Sequence, residues 1–341
     1  MEDIVGGLVD IKETGGVLLG RCFVADGFWN RIVRVVTHVH SDHLLGIEDS
    51  IRYSSIILGT PLTIELILEL RRLDSSLRVL YKRKALPLDY YRRINIAGEY
   101  ITLYPANHIP GSAQVLVETS GYRIGYTGDF RLQGTPVMKG LDVLVIEATY
   151  GRPEYRRPFK NDVYSLLVDT VSDGLACGGP VVIYGYYGKL QEAMTILREN
   201  DIVEPFLMPP KLYRVTKIIE KHGYSIGEYY NMLSREGRSI MSSTTRYILF
   251  LHMNKARYRN LSSGLNIVLS GWEFREPIRR IDSNTWLIAL SDHADYDDLI
   301  EYVDRASPRL VVVDNSRQSE AYSLAEGIKK ELGIEAIVLP P

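Results

Sequence analysis

Short apolar runs separated by turn residues dominate the first 150 residues. Runs rich in β-branched and aliphatic residues lie at 17–19, 32–36, 101–104, 114–118, 123–126 and 143–146, and this length and bounding predict strands. One helical period interrupts them: Leu62, Ile64, Leu66, Ile67, Leu70 and Leu73 predict a helix over 61–73, with Pro61 in its first turn. After Pro180 the pattern becomes strand then helix. Val181-Val182-Ile183-Tyr184 predicts a strand leading through Gly185-Tyr186-Tyr187-Gly188 into a helix over 189–199, and a second helix follows over 211–221. The end of the chain repeats the alternation, with strands at 286–290, 310–313 and 336–339 and helices at 296–305 and 320–331. This is the pattern of an α/β protein with an insertion in its middle.

Composition narrows the class. The 341 residues, 45% hydrophobic and 24% charged, suit an ordinary soluble protein of about two domains. No apolar run approaches the roughly 18 residues of a membrane span. Met1-Glu2-Asp3 lacks the basic region of a secretory signal, so a cytoplasmic location is expected. Cys22 and Cys177 form no C-x-x-C pair, which excludes a zinc ribbon and fits a reducing compartment. The net charge of −2 hides an asymmetry: residues 151–280 carry 19 Lys+Arg against 13 Asp+Glu, a balance of +6, which leaves −8 elsewhere. A basic middle against an acidic remainder suits a polyanionic substrate.

Chemistry concentrates in His38-Val39-His40-Ser41-Asp42-His43, directly after the run at 32–36. Imidazoles suit zinc and carboxylates suit bridging roles, so this mixture points to a hydrolytic rather than a structural site. It sits on the loop leaving a strand, where open α/β sheets place ligands, and residues 44–49 suggest a short helical turn behind it. A binuclear centre needs about seven or eight protein donors, so others are sought further on. His108 lies in Ala106-Asn107-His108-Ile109-Pro110-Gly111-Ser112-Ala113, and Asp129 in Tyr126-Thr127-Gly128-Asp129-Phe130, each following a strand. Asp26, in Val24-Ala25-Asp26-Gly27, is placed to orient a ligand from behind.

In order and spacing this series resembles the metallo-β-lactamase fold. The resemblance implies an αββα sandwich carrying two zinc ions, with manganese as an alternative. His38, His40 and His108 would form one site, Asp42 and His43 the other, and Asp129 would bridge them. Ile146-Glu147-Ala148-Thr149-Tyr150-Gly151, Gly188-Lys189-Leu190-Gln191-Glu192 and Ser291-Asp292-His293-Ala294-Asp295-Tyr296 resemble motifs of the β-CASP nucleases. The likeness therefore covers essentially the whole chain. It implies a discontinuous metallo-β-lactamase domain at 1–151 and 283–341, with an inserted α/β β-CASP domain at 152–282. Within that group, Thr149-Tyr150-Gly151-Arg152-Pro153-Glu154-Tyr155, Ser270-Gly271-Trp272 and Leu290-Ser291-Asp292-His293-Ala294-Asp295 are most similar to ligase-associated DNA exonucleases and archaeal mRNA 3′-end processing factor-like exonucleases.

One departure bears on the substrate. RNA-cleaving β-CASP members carry a further zinc-binding histidine about 22 residues after His293. Here Asp314-Asn315-Ser316 stands there and no histidine follows, so the second site has one ligand fewer, or Asp314 or Asn315 stands in. Artemis-like DNA nucleases share the absence, which tips the expected substrate toward DNA.

The resemblance implies metal-assisted phosphodiester hydrolysis at DNA or RNA ends. Asp42 would orient the attacking water, and His293, kept protonated by Glu147, would act as general acid. Arg152, Arg156, Arg275 and Lys189 are candidate contacts to nucleic acid, along with basic and aromatic residues at 255–259. His222 and His252 read as structural. Two other readings stay open: a thioesterase or lactonase of the same fold, or a nucleic-acid-binding scaffold with a degenerate site. Polarity and oligomeric state, monomer or homodimer, are also open.

Overall fold

The computed structural model describes residues 7–261, 264–317 and 320–341, and of residues 258–261 the backbone only. The acidic N-terminus and the side chains of Tyr258 and Arg259 lie outside the described residues. Two compact units emerge, 1–156 with 293–341 and 157–292.

The first unit contains two sheets. One orders β1 (Val9–Ile11), β2 (Val17–Leu19), β3 (Phe23–Ala25), β4 (Val33–Val35), β5 (Ile56–Gly59) and β6 (Ala85–Pro87) side by side. The other begins with β7 (Arg93–Ile96), β8 (Glu99–Pro105), β9 (Ala113–Glu118), β10 (Arg123–Tyr126) and β11 (Val143–Ile146), and continues from β11 to β19 (Leu310–Asp314) and β20 (Ala336–Leu339). Both faces of this second sheet are covered, so its central strands are apolar on both sides. Val143, Val145, Leu310 and Val312 point toward Phe23, Val33 and Val35 of the first sheet. Leu144, Ile146, Val311 and Val313 point the other way, into a core with Leu299, Val303, Leu324 and Ile328 of the helices Tyr296–Ala306 and Ala321–Leu332. The helices Ile47–Tyr53, Pro61–Leu70 and Ser75–Lys84 cover β5. The order of layers is αββα.

The helix expected over 61–73 starts where its signals place it, since Thr60 Oγ1 accepts from Thr63 N–H at 3.2 Å and Pro61 occupies the first turn. It stops at Leu70, because Asp74 caps a second helix by accepting from Leu77 N–H at 2.8 Å.

The second unit is built on one sheet, ordered β14 (Tyr229–Asn231), β13 (Phe206–Met208), β15 (Ile248–His252), β12 (Val181–Gly185), β16 (Leu265–Leu269), β18 (Thr285–Ile288) and β17 (Ile278–Asp282). All neighbours are parallel except β17 and β18. Because β18 pairs with β16, the compact units divide at 292/293 rather than between the paired strands at 282/283. The helix Val163–Ala176 was not expected, although Val163, Leu167, Val171 and Leu175 form one buried stripe at helical spacing.

Candidate metal centre

Strand direction gathers the chemistry. β3 and β4 are parallel, while β8, β10, β11 and β19 share one direction in the second sheet. The loops at their carboxyl ends bear Asp26, residues 37–43, His108, Asp129 and Glu147. The loop after β3 needs glycine, because a Cβ on Gly27 would fall 2.1 Å from Gly16 N. That close passage leaves Asp26 in the left-handed region at φ 53°. Gly128 takes φ 54° immediately before Asp129, a turn that L side chains disfavour.

Asp129 Oδ2 is the hub. It lies 3.2 Å from His43 Nε2, 3.6 Å from His38 Nε2, 3.8 Å from His108 Nε2 and 4.0 Å from His293 Nε2. His38, His40, His108 and Asp129 each present a ligand atom within 4.8 Å of the others. His40 and His108 approach at 3.0 Å between ring nitrogens, and the rings of His38 and His43 stand 3.9 Å apart. Asp42, about half exposed, brings Oδ2 to 3.4 Å from His43 Nε2.

Behind the ligand atoms stands a buried frame. Asp26 Oδ2 lies 2.9 Å from His43 Nδ1, and Asp26 also accepts from Thr37 N–H at 2.8 Å, Thr37 Oγ1 at 2.5 Å and Tyr126 OH at 3.2 Å. Holding Nδ1 in this way turns Nε2 toward the cluster, the usual device for orienting a metal-binding imidazole. Arg34, fully buried in β4, donates to His43 O at 2.8 Å and pins the loop. Arg71 donates to Ser41 O at 3.1 Å and Leu44 O at 3.0 Å.

The donor set fits a metal. His38 Nε2 is buried without a hydrogen-bond partner, an arrangement that costs about 1–3 kcal/mol unless something binds it. Burial, reinforced by the neighbouring imidazoles of His43 and His108, pushes His38 well down, which keeps it in the neutral, ligating form. Burial also works against charge on His43, but Asp129 and Asp26 outweigh it and raise that imidazole to about 10. The carboxylates thus demand positive charge at His43 Nε2, which a proton or a divalent ion can meet. An Asp26→Asn variant is expected to retain metal about 10–100-fold less tightly, read by competition with a chromophoric chelator. Unchanged affinity would remove Asp26 from this role.

Glu147 and His293 form the neighbouring pair. Glu147 Oε2 lies 3.0 Å from His293 Nδ1, and Glu147 Oε1 accepts from Phe130 N–H at 2.8 Å. Burial pushes the Glu147 carboxyl up and Asp129 adds to the rise, while His293 opposes it. The proton is a property of the pair rather than of either residue.

Other expected residues fall elsewhere. Asp314 accepts from Ser316 N–H at 2.8 Å, Ser316 Oγ at 2.6 Å and Arg317 Nη1 at 2.6 Å, and the Asn315 amide donates to Pro340 O at 3.1 Å. Neither side chain joins the ligand cluster, because the Arg317 guanidinium lies between, donating also to Gly15 O at 2.7 Å and Asp26 O at 2.8 Å. Lys189 is buried and paired with Asp292 at 3.0 Å, so it is not a surface contact for phosphate. Arg152 pairs with Glu320, Arg156 with Asp297 at 2.7 Å, and Arg275 is exposed. Arg34 and Arg317 escaped the sequence reading. For Arg34 the signal was a lone arginine inside Val33-Arg34-Val35-Val36, while Arg317 had none.

Comparison with known proteins adds a family. Residues 280–340 match the family model described as a Zn-dependent metallo-hydrolase RNA specificity domain. An uncharacterized protein in the lig 3′ region of Acidianus ambivalens is 47% identical over 139 residues, 40% of this chain and 98% of that one. A probable DNA ligase of Opitutus terrae is 28% identical over 96% of this chain, which spans only 32% of the ligase. RNase aCSPSF2 of Saccharolobus solfataricus is 25% identical, covering 89% of this chain and 72% of its own length. No helix among the described residues is long and apolar enough to cross a membrane.

Proposed function

The chain belongs to the metallo-β-lactamase/β-CASP nuclease family, and from that premise we propose that it is a zinc-dependent phosphodiesterase trimming single-stranded nucleic-acid ends. One observation carries the reading: a single carboxylate oxygen, Asp129 Oδ2, stands among four imidazole nitrogens, with Glu147 holding the outermost imidazole, His293. His38, His40 and His108 would hold one ion, Asp42 and His43 a second, and Asp129 both. Divalent ions held there would supply Lewis-acid chemistry, polarising a phosphoryl oxygen and lowering a water's pKa from 15.7 to about 7 in the case of zinc. Asp42 orients the attacking water. His293 delivers the proton to the leaving oxygen, and Glu147 keeps its ring aimed and its proton replenished.

The first unit is read as the metallo-β-lactamase domain and the second as the β-CASP domain, whose basic balance suits a polyanion better than a thioester or lactone. The missing histidine after β19 favours DNA over RNA. Both free cysteines, Cys22 and Cys177, fit a reducing cytoplasmic setting.

End-labelled single strands of DNA and RNA, linear and circular, test the proposal. Zinc- or manganese-loaded protein is expected to shorten linear strands stepwise, DNA faster, to spare circles, and to stop when a chelator is added. Strands that stay intact under those metals while still binding the protein would instead identify a scaffold and overturn the reading.

A further inference from the structure

At the carboxyl edge of the parallel sheet in the second unit, three adjacent strands end in rings. β15, β12 and β16 are neighbours in that order. β15 ends at His252, β12 runs into Tyr186 and Tyr187, and β16 runs into Trp272. His252 pairs in register with Gly185, the residue before Tyr186. Its ring stands 5.4 Å from that of Tyr186 at 87° and 4.9 Å from that of Tyr187 at 48°. Asn254 N–H donates to His252 Nδ1 at 3.3 Å, which fixes the imidazole's orientation.

Two of these rings are presented to solvent. Tyr186 is 50% exposed and Trp272 52%, while Tyr187 and His252 are half-buried, Tyr187 against the core beneath. The loop bearing Trp272 is braced from below: buried Arg157 donates to Gly271 O at 3.1 Å and also to Ala289 O, tying the ends of β16 and β18 together. Lys255 and Arg257, in the short helix Met253–Leu261 that follows β15, and Arg275, on the loop bearing Trp272, are exposed. Neighbouring strands lie about 4.8 Å apart, so the row from β15 to β16 spans roughly 10 Å. Bases stacked at about 3.4 Å along one strand would place about three over that length.

We propose that Tyr186, Tyr187, His252 and Trp272 form a stacking platform for unpaired nucleobases, with Lys255, Arg257 and Arg275 neutralising the phosphates beside them. A platform of this kind grips any base by its π-face and selects for single strands, because paired bases offer no free face. The proposal takes its class of polymer from the nuclease reading and deepens it by separating strand capture from cleavage.

The test compares two 12-residue probes of equal charge, labelled oligothymidylate and its abasic analogue, by fluorescence anisotropy in EDTA so that binding is read without cleavage. Wild-type protein is expected to bind oligothymidylate at least about 10-fold more tightly. Tyr186→Ala and Trp272→Ala should each weaken that binding by about 5- to 150-fold while leaving the abasic probe unaffected, and Tyr186→Phe should retain it. Equal wild-type binding to both probes, or alanine variants that weaken both alike at unchanged melting temperature, would overturn the platform. Cleavage of the same oligothymidylate with zinc is scored separately. An inert protein that still prefers bases refutes only the nuclease reading, and an active protein without the preference refutes only the platform.

Discussion

Asp129→Ala is expected to strip metal from the purified protein and to lower hydrolysis of end-labelled single strands by more than about 100-fold. The lower bound follows from residues that merely orient a metal ligand, whose loss typically costs about 10–100-fold. Asp129 has a more central position: one oxygen lies 3.2–4.0 Å from four imidazole nitrogens carried on three different loops. Its burial alone would favour the protonated acid, yet His43, His293 and His38 hold it well below the usual carboxylate range. Alanine would therefore remove the carboxylate in the middle of the cluster and leave His38 and His108 facing each other without it, while His43 keeps Asp26 and His293 keeps Glu147. Elemental analysis gives the metal content, and thermal melting separates loss of metal from loss of fold. Full metal retention with normal turnover would remove Asp129 from the centre.

His293→Ala is expected to lower turnover by about 10²–10⁴-fold, the usual range for a positioned general acid, while metal content stays unchanged. The residue is partly exposed, tied through Nδ1 to Glu147 at 3.0 Å, and its Nε2 lies at the edge of the cluster, 4.0 Å from Asp129. A substrate with a bridging phosphorothiolate, whose sulfur leaves without needing a proton, should recover most of the lost rate in the variant. Glu147→Gln should fall in the same direction by a smaller factor and show the same recovery, because it keeps the ring in place without the carboxylate's hold on the proton. A variant that loses metal together with activity, and gains nothing from the sulfur leaving group, would make His293 a ligand instead of an acid.

The elements with a clear period were legible in the chain. Two interior strands of the second sheet, 143–146 and 310–313, announced themselves because burial on two faces leaves no polar position. The expected helix after Pro61 was correct at its start, where capping is local, and too long at its end, where Asp74 began another helix. Of the three-residue strands, β2 and β4 fall within expected runs, whereas β1, β6 and β13 were not expected, since so short a run has no period and is stabilised only by its neighbours in the sheet.

Much the same division holds for the site. Residues 38–43 were readable because four ligand-type side chains share one loop, and His108, Asp129, Glu147 and His293 because each follows a strand or sits in a recognisable motif. Charge alone does not place these cations: Lys189 stands at a helix start as expected and pairs with buried Asp292, while Arg152 and Arg156, about half exposed, pair with Glu320 and Asp297. A cation's partner is chosen across space, at sequence separations that no local pattern encodes. By itself, then, the sequence determined which side chains could ligate and that they would lie at strand ends, because both follow from residue type and local period. Only the tertiary structure decided that strands of two sheets point those ends at one place, that one oxygen of Asp129 meets four imidazole nitrogens, and that Arg317 rather than a further ligand stands beside Asp26, because each depends on packing between segments as far as 302 residues apart.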